Sequence, residues 1–153
     1  MIEIGQKAPA IKAATDGGGE VSLSDLKGQK VVLYFYPKDD TPGCTKEACG
    51  FRDSLPDFSN LDATIIGVSK DTAAKHDKFK AKYELPFTLI SDEDGSVCEA
   101  FGTWVEKSMY GRKYMGIDRA TFLIDEKGVV RQIWRKVKVK GHVDAVLEAA
   151  KEL

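Results

Sequence analysis

Two cysteines, Cys44 and Cys49, follow directly on the loop Pro37-Lys38-Asp39-Asp40-Thr41-Pro42-Gly43. Before that loop, Lys30 to Tyr36 is nearly all apolar; after it the residues favour a helix. This order places Cys44 at or near the first turn of a helix. The backbone N–H groups and the dipole at such a turn favour a negative charge. The thiolate is the reactive form of cysteine, and a helix start can lower a thiol pKa by about one to several units. The expected chemistry is therefore an activated sulfur with a partner thiol close by in the chain.

The rest of the composition narrows the class. The chain has 153 residues, 42% hydrophobic and 31% charged, as expected of one soluble domain covering residues 1–153 with a sizeable core. Lys+Arg is 23 and Asp+Glu is 24, for a net charge of -1, which gives no electrostatic case for nucleic acid or an anionic membrane. No apolar run reaches the roughly 18 residues needed to span a bilayer. Residues 1–7 carry neither a signal core nor a transit-peptide pattern, so a cytoplasmic protein is expected. Cys98 makes a third cysteine, and in a reducing compartment a cysteine pair is redox-active or metal-binding more often than structural. His76 and His142 are the two histidines; neither stands in a zinc-ligand spacing, so no metal is expected. Both lie in polar helical contexts and read as solvated. Cys98, between Val97 and Phe101, reads as core packing.

The elements that must position the sulfur alternate. Residues 20–24 read as a short strand or turn, 30–36 as a strand buried on both faces, and 43–54 as a helix. A second buried strand over 63–69 precedes a helix from Asp71 to about Lys82, broken by Pro86. Residues 87–92 read as a third strand and 97–101 as a short helix ending at Gly102. Residues 120–125 and 129–136 form a hairpin across Glu126-Lys127-Gly128, and 143–150 a closing helix. Asp16-Gly17-Gly18-Gly19 reads as a hairpin turn. The lysine-alternating run from Arg135 to Lys140 reads as a solvated edge strand protected by its charge. The whole is an α/β protein with a central mixed β-sheet flanked by helices, and a thioredoxin-like fold suits this order.

Pro37-x-x-x-Thr41-x-x-Cys44 resembles the active-site motif of the peroxiredoxins, Pro-x-x-x-Thr/Ser-x-x-Cys. The continuation Thr45-Lys46-Glu47-Ala48-Cys49 resembles the bacterioferritin-comigratory, or Q-type, subgroup, an atypical two-cysteine group. Gly116 to Asp125 is similar to the family segment that carries an arginine, here Arg119, and Lys107 to Tyr114 is also similar to the subgroup. The resemblance runs from Gly5 to the last helix. It implies a thiol peroxidase for hydrogen peroxide and organic hydroperoxides, acting as a monomer and needing no cofactor. Cys44 would be the peroxidatic cysteine, oxidised to a sulfenic acid. Thr41 would offer its hydroxyl to sulfur and peroxide, and Arg119 a fixed positive charge. Glu47 would orient Arg119. Pro37 and Pro42 would shape the loop and shield the sulfur, and the Gly43 and Cys44 amides would be further donors. Cys49 would resolve the sulfenic acid to a disulfide, and a dithiol protein such as thioredoxin would reduce it. A regular helix separates such a pair by about 7.5 Å of rise and turns the side chains apart, so resolution would require local unwinding, which Gly50 would ease.

Read without the resemblance, several of these residues have plainer roles. Glu47 is also an ordinary first-turn acid, Arg119 a surface arginine before a strand, and Trp104, Met109, Tyr110 and Tyr114 packing rather than a lip over the site. Two other functions use similar chemistry. A thioredoxin-like disulfide reductase would want Cys-x-x-Cys at the helix start, where this chain has four residues between the cysteines. A redox sensor would need the same sulfur switch but only stoichiometric oxidation, so the rate of peroxide turnover separates it from an enzyme.

Overall fold

In the computed structural model, which describes residues 2–153, a five-stranded sheet forms the centre. Its strands are β3 (Lys30–Phe35), β4 (Ala63–Ser69), β5 (Thr88–Ser91), β8 (Ala120–Ile124) and β9 (Val130–Trp134), in the order β5-β4-β3-β8-β9. β3 runs parallel to β4, and β4 to β5, whereas β3–β8 and β8–β9 are antiparallel. The sheet is therefore mixed and the fold thioredoxin-like.

Alternation along β3 divides the core in two. Val32, Tyr34 and Tyr36 face one layer, with helix α1 (Pro42–Ser59), helix α2 (Ala73–Tyr83) and helix α4 (His142–Lys151). Val31, Leu33 and Phe35 face the other, with helix α3 (Ser96–Ala100) and Phe101, Phe122 and Val130. Both faces are covered, so β3 carries an unbroken apolar run through to its buried end. Cys98 lies in the second layer, fully buried.

The structure departs from the sequence reading or adds to it in four places. Helix α1 continues through Pro56 to Ser59 rather than stopping at residue 54. Buried Phe58, its ring 6.0 Å from that of Phe51, supplies apolar contact that offsets the amide lost at Pro56. Residues 104–117 form a hairpin, β6 (Trp104–Met109) and β7 (Arg112–Ile117). Its turn has Tyr110 at φ 52° and Gly111 at φ 78°, both left-handed as a two-residue hairpin turn requires. Tyr-Gly is a weak sequence signal for such a turn, and most of the hairpin is exposed, so no alternation marks it. The N-terminal pair β1 (Lys12–Ala14) and β2 (Glu20–Ser22) likewise contains a first strand too short to read. Finally, the run after Arg135 is no strand: β9 ends at Trp134, and Arg135 turns inward to donate to the carbonyls of Gly102 and Phe101 at 3.2 and 3.3 Å. Among the described residues, no helix is long and apolar enough to cross a membrane.

Candidate active site

Cys44 is the third residue of α1 and is 2% exposed. Pro42 opens the helix, where its missing N–H costs nothing and its fixed φ is already helical. Thr41 is the N-cap residue, but its side chain makes no capping bond; its hydroxyl donates to the carbonyl of Lys38 at 2.9 Å. The first-turn amides of Gly43 and Cys44 thus have no capping oxygen, and the Thr41 oxygen keeps its lone pairs for a further donor.

Arg119, at the entry to β8, reaches across to this helix start. Its Nη2 donates to Cys44 Sγ at 3.3 Å and its Nη1 to Glu47 Oε1 at 2.8 Å. The guanidinium fork thereby holds a sulfur and a carboxylate at once, a geometry lysine could not reproduce. A side chain at residue 43 would crowd it: a Cβ there would lie 3.2 Å from Arg119 Nη2, so Gly43 is a clearance for the cation. Glu47 is fully buried, and burial pushes its carboxyl up to about 7 against the pull of Arg119. In Arg119 itself, burial disfavours the charge, but Glu47 and Cys44 outweigh it and hold the cation more firmly than in water.

Behind Glu47 lies a layer that the sequence reading missed. His142, the first residue of α4, is buried rather than solvated; its Nε2 shares a 2.7 Å hydrogen bond with Thr121 Oγ1 and stands 4.0 Å from Glu47 Oε2. Burial, and then the charge of Arg119, pull His142 down to about 4. Glu47 Oε2 and the Tyr34 hydroxyl are buried without a hydrogen-bond partner among the described residues. His76 is also buried, against the expectation that it is solvated. A histidine just after a glycine at a helix start was the only available signal for His142.

Of the six residues singled out by sequence, Cys44, Glu47 and Arg119 are in direct contact. Thr41 adjoins them at the cap. Pro37 and Arg119 line an open cavity of about 660 Å³ that also takes in Val105, Lys107, Tyr114 and Val137. Tyr114 is therefore at the mouth, whereas Tyr110 is 99% exposed at the hairpin tip. Cys49, half-buried, lies farther along α1, and both cysteines are free thiols. Gly50 has a packing reason: a Cβ there would sit 3.0 Å from Val143 Cγ2, so the glycine lets α1 approach α4. Burial pushes the Cys98 thiol well above the ordinary range, which makes it a poor nucleophile.

Residues 4–133 match the AhpC/TSA family. A putative peroxiredoxin bcp from Coxiella burnetii is 59% identical over 95% of this chain and 97% of its own length. Peroxiredoxin Bcp from Bacillus subtilis is 56% identical over 99% and 97%. The solved structure of the bacterioferritin comigratory protein from Xanthomonas campestris, described for its alkyl peroxide reduction activity, superposes with a TM-score of 0.92 at 45% identity, covering 98% of each chain.

Proposed function

The chain belongs to the AhpC/TSA family, among the peroxiredoxins of the Bcp or Q type, and from that premise we propose how its residues carry out thiol-dependent peroxide reduction. The observation that carries the proposal is the Arg119 fork joining Cys44 Sγ to Glu47. The Cys44 thiolate attacks the distal oxygen of a hydroperoxide; the O–O bond breaks, the sulfur becomes a sulfenic acid, and the departing alkoxide or hydroxide takes up one proton. Arg119 and the first-turn amides stabilise negative charge as it passes from sulfur to oxygen. Glu47 orients Arg119, Thr41 bonds the peroxide oxygens, and Pro37 walls the mouth of the site. Hydrogen peroxide and organic hydroperoxides are both substrates; the open cavity beside Arg119 has room for an organic tail, and the Xanthomonas relative reduces alkyl peroxides.

In the second step the Cys49 thiol attacks the sulfenic sulfur, water leaves, and a Cys44–Cys49 disulfide forms. Five residues of regular helix leave about 7.5 Å of rise between these positions, so the first turns of α1 unwind to close the bond. A dithiol protein of the thioredoxin type restores both thiols and is itself oxidised. The enzyme works as a monomer in the cytoplasm, where such reductants are kept reduced.

Mass spectrometry after one equivalent of hydrogen peroxide tests both steps. Wild type should lose two hydrogens in a Cys44–Cys49 disulfide. Cys49→Ser should instead gain one oxygen on Cys44, and Cys44→Ser should show neither change and no peroxidase activity. Oxidation of Cys98 in place of Cys44 would sink the assignment.

A further inference from the structure

Asp39 and His76, which the peroxide chemistry leaves unused, meet in a buried contact between the catalytic loop and α2. His76 Nε2 lies 2.9 Å from the carbonyl oxygen of Ile90. A carbonyl only accepts, so Nε2 carries a proton. His76 Nδ1 lies 2.6 Å from Asp39 Oδ2, and Asp39 Oδ1 accepts from the Tyr36 hydroxyl at 2.6 Å. With Tyr36 donating to one oxygen, an ionised Asp39 can accept at the other, and the geometry suits an imidazolium with a donor at each ring nitrogen. The side chains are 0% and 6% exposed, so water does not screen them. The backbone of Asp39 is fixed as well, its amide donating to Asp71 Oδ2 at 2.8 Å, an oxygen that also accepts from Ser69 Oγ.

The next residue repeats the attachment outside. Asp40 adopts a left-handed φ of 58°, and its carboxylate accepts from Lys82 Nζ at 2.8 Å and Tyr83 OH at 2.7 Å, both on α2. That pair is exposed and contributes little. Thr41, the cap of the helix that carries Cys44, follows immediately. The residue types of Asp39, Asp71 and His76 would also suit a metal. Here both nitrogens of His76 and both oxygens of Asp39 already have partners within the protein.

We propose that the Asp39–His76 ion pair is a latch that positions the loop from Pro37 to Thr41, and through it the helix start bearing Cys44, for reaction with peroxide. The proposal rests on the reading of Cys44 as the peroxidatic cysteine. Asp39 and His76 act as positioning residues, touching neither sulfur nor substrate. The latch has a charge dependence. Burial alone would lower His76, but the bond and charge of Asp39, the Ile90 carbonyl and then Asp71 raise it above its ordinary 6.5. Lys38 of the loop and Lys75, Lys78 and Lys82 of α2 line the adjoining cavity together with Asp39, Asp40 and Asp71. The Tyr36 hydroxyl stays neutral, since burial holds its pKa well above the ordinary range. When His76 loses its proton, a nitrogen lone pair faces the carboxylate and the attraction is gone.

Two measurements on the reduced full-length protein test the latch. Rapid quench with mass spectrometric detection gives the rate of Cys44 oxidation by hydrogen peroxide across pH, and proton NMR gives the titration of His76. In wild type the rate should fall through a one-proton step on the alkaline side, at the His76 midpoint above 6.5. His76→Gln should lack that step and react about tenfold more slowly near neutrality, the scale expected for a small misplacement of reacting groups. Asp39→Asn should bring the His76 midpoint below 6.5. A His76 midpoint at or below 6.5 in wild type, or a folded His76→Gln protein that matches wild type at every pH, overturns the latch. If peroxide leaves Cys44 of wild type unoxidised, the functional reading falls and the catalytic role of the latch with it; the titration still decides whether the ion pair exists.

Discussion

Two buried histidines, His76 on α2 and His142 on α4, each stand beside a carboxylate, and their pKa values shift in opposite directions. His76 touches Asp39 at 2.6 Å and is raised; His142 stands 4.0 Å from Glu47 and is lowered to about 4. Both are desolvated, so burial cannot explain the difference. Contact does. Asp39 has no arginine of its own and gives one oxygen to His76, whereas Glu47 is already engaged by Arg119, whose charge also repels a proton on His142. A buried carboxylate stabilises one cation well, and the cation that reaches it first leaves the neighbouring histidine neutral.

Removing the competing cation should change the reactive side most. Arg119→Ala is expected to slow Cys44 oxidation by about two to three orders of magnitude, the range for losing one electrostatic stabiliser. It should also let His142 rise from about 4 toward its ordinary 6.5, because its repelling charge is gone. Rapid quench and histidine NMR on the same variant read both effects, and an unmoved His142 would remove Arg119 from the comparison.

The latch side is read as stability. In acid, Asp39→Asn leaves a buried imidazolium without its counter-charge and should cost about 3 to 5 kcal/mol by urea denaturation. The sign in pH follows from the raised His76. Its contribution is complete below the unfolded value of about 6.5 and disappears as pH rises through the folded value, so the gap between wild type and Asp39→Asn should narrow on the alkaline side.

Glu47→Gln sharpens the comparison in activity. It keeps the shape but not the charge that holds Arg119, and should slow oxidation by about tenfold above pH 7, the effect of losing one charge-assisted hydrogen bond. Because the Glu47 carboxyl protonates near 7, wild type itself loses that charge in acid, and the difference between the two should shrink below it. A constant ratio across pH would show that Glu47 does not titrate in this range.

The smallest expected effect is a slope. Glu47, raised from 4.5 to about 7, makes stability fall as pH rises through that window. His142, lowered from 6.5 to about 4, makes it rise between those values, and the two nearly cancel where they overlap. His142→Asn should unmask the Glu47 slope, on the order of 1 kcal/mol per pH unit at most.

The chain's local order was enough to predict much of this. An apolar run, a loop closed by Pro-Gly and a helix-friendly segment place Cys44 at a helix start, because strand burial, proline geometry and helix capping act over a few neighbouring residues. The buried strands, the closing helix and the packing role of Cys98 were legible for the same reason. The hairpin from Trp104 to Ile117 was not: its turn lacks the usual residues and its faces lack a pattern. The resemblance pointed to Arg119 and Glu47, but only the tertiary structure brings Arg119 onto a sulfur 75 positions earlier in the chain. The two histidines show the limit most clearly. Both looked like polar helix residues and both are buried, with charges set by the carboxylate within reach and by any third charge beside it. Those distances join residues far apart in sequence, and only the folded packing decides them.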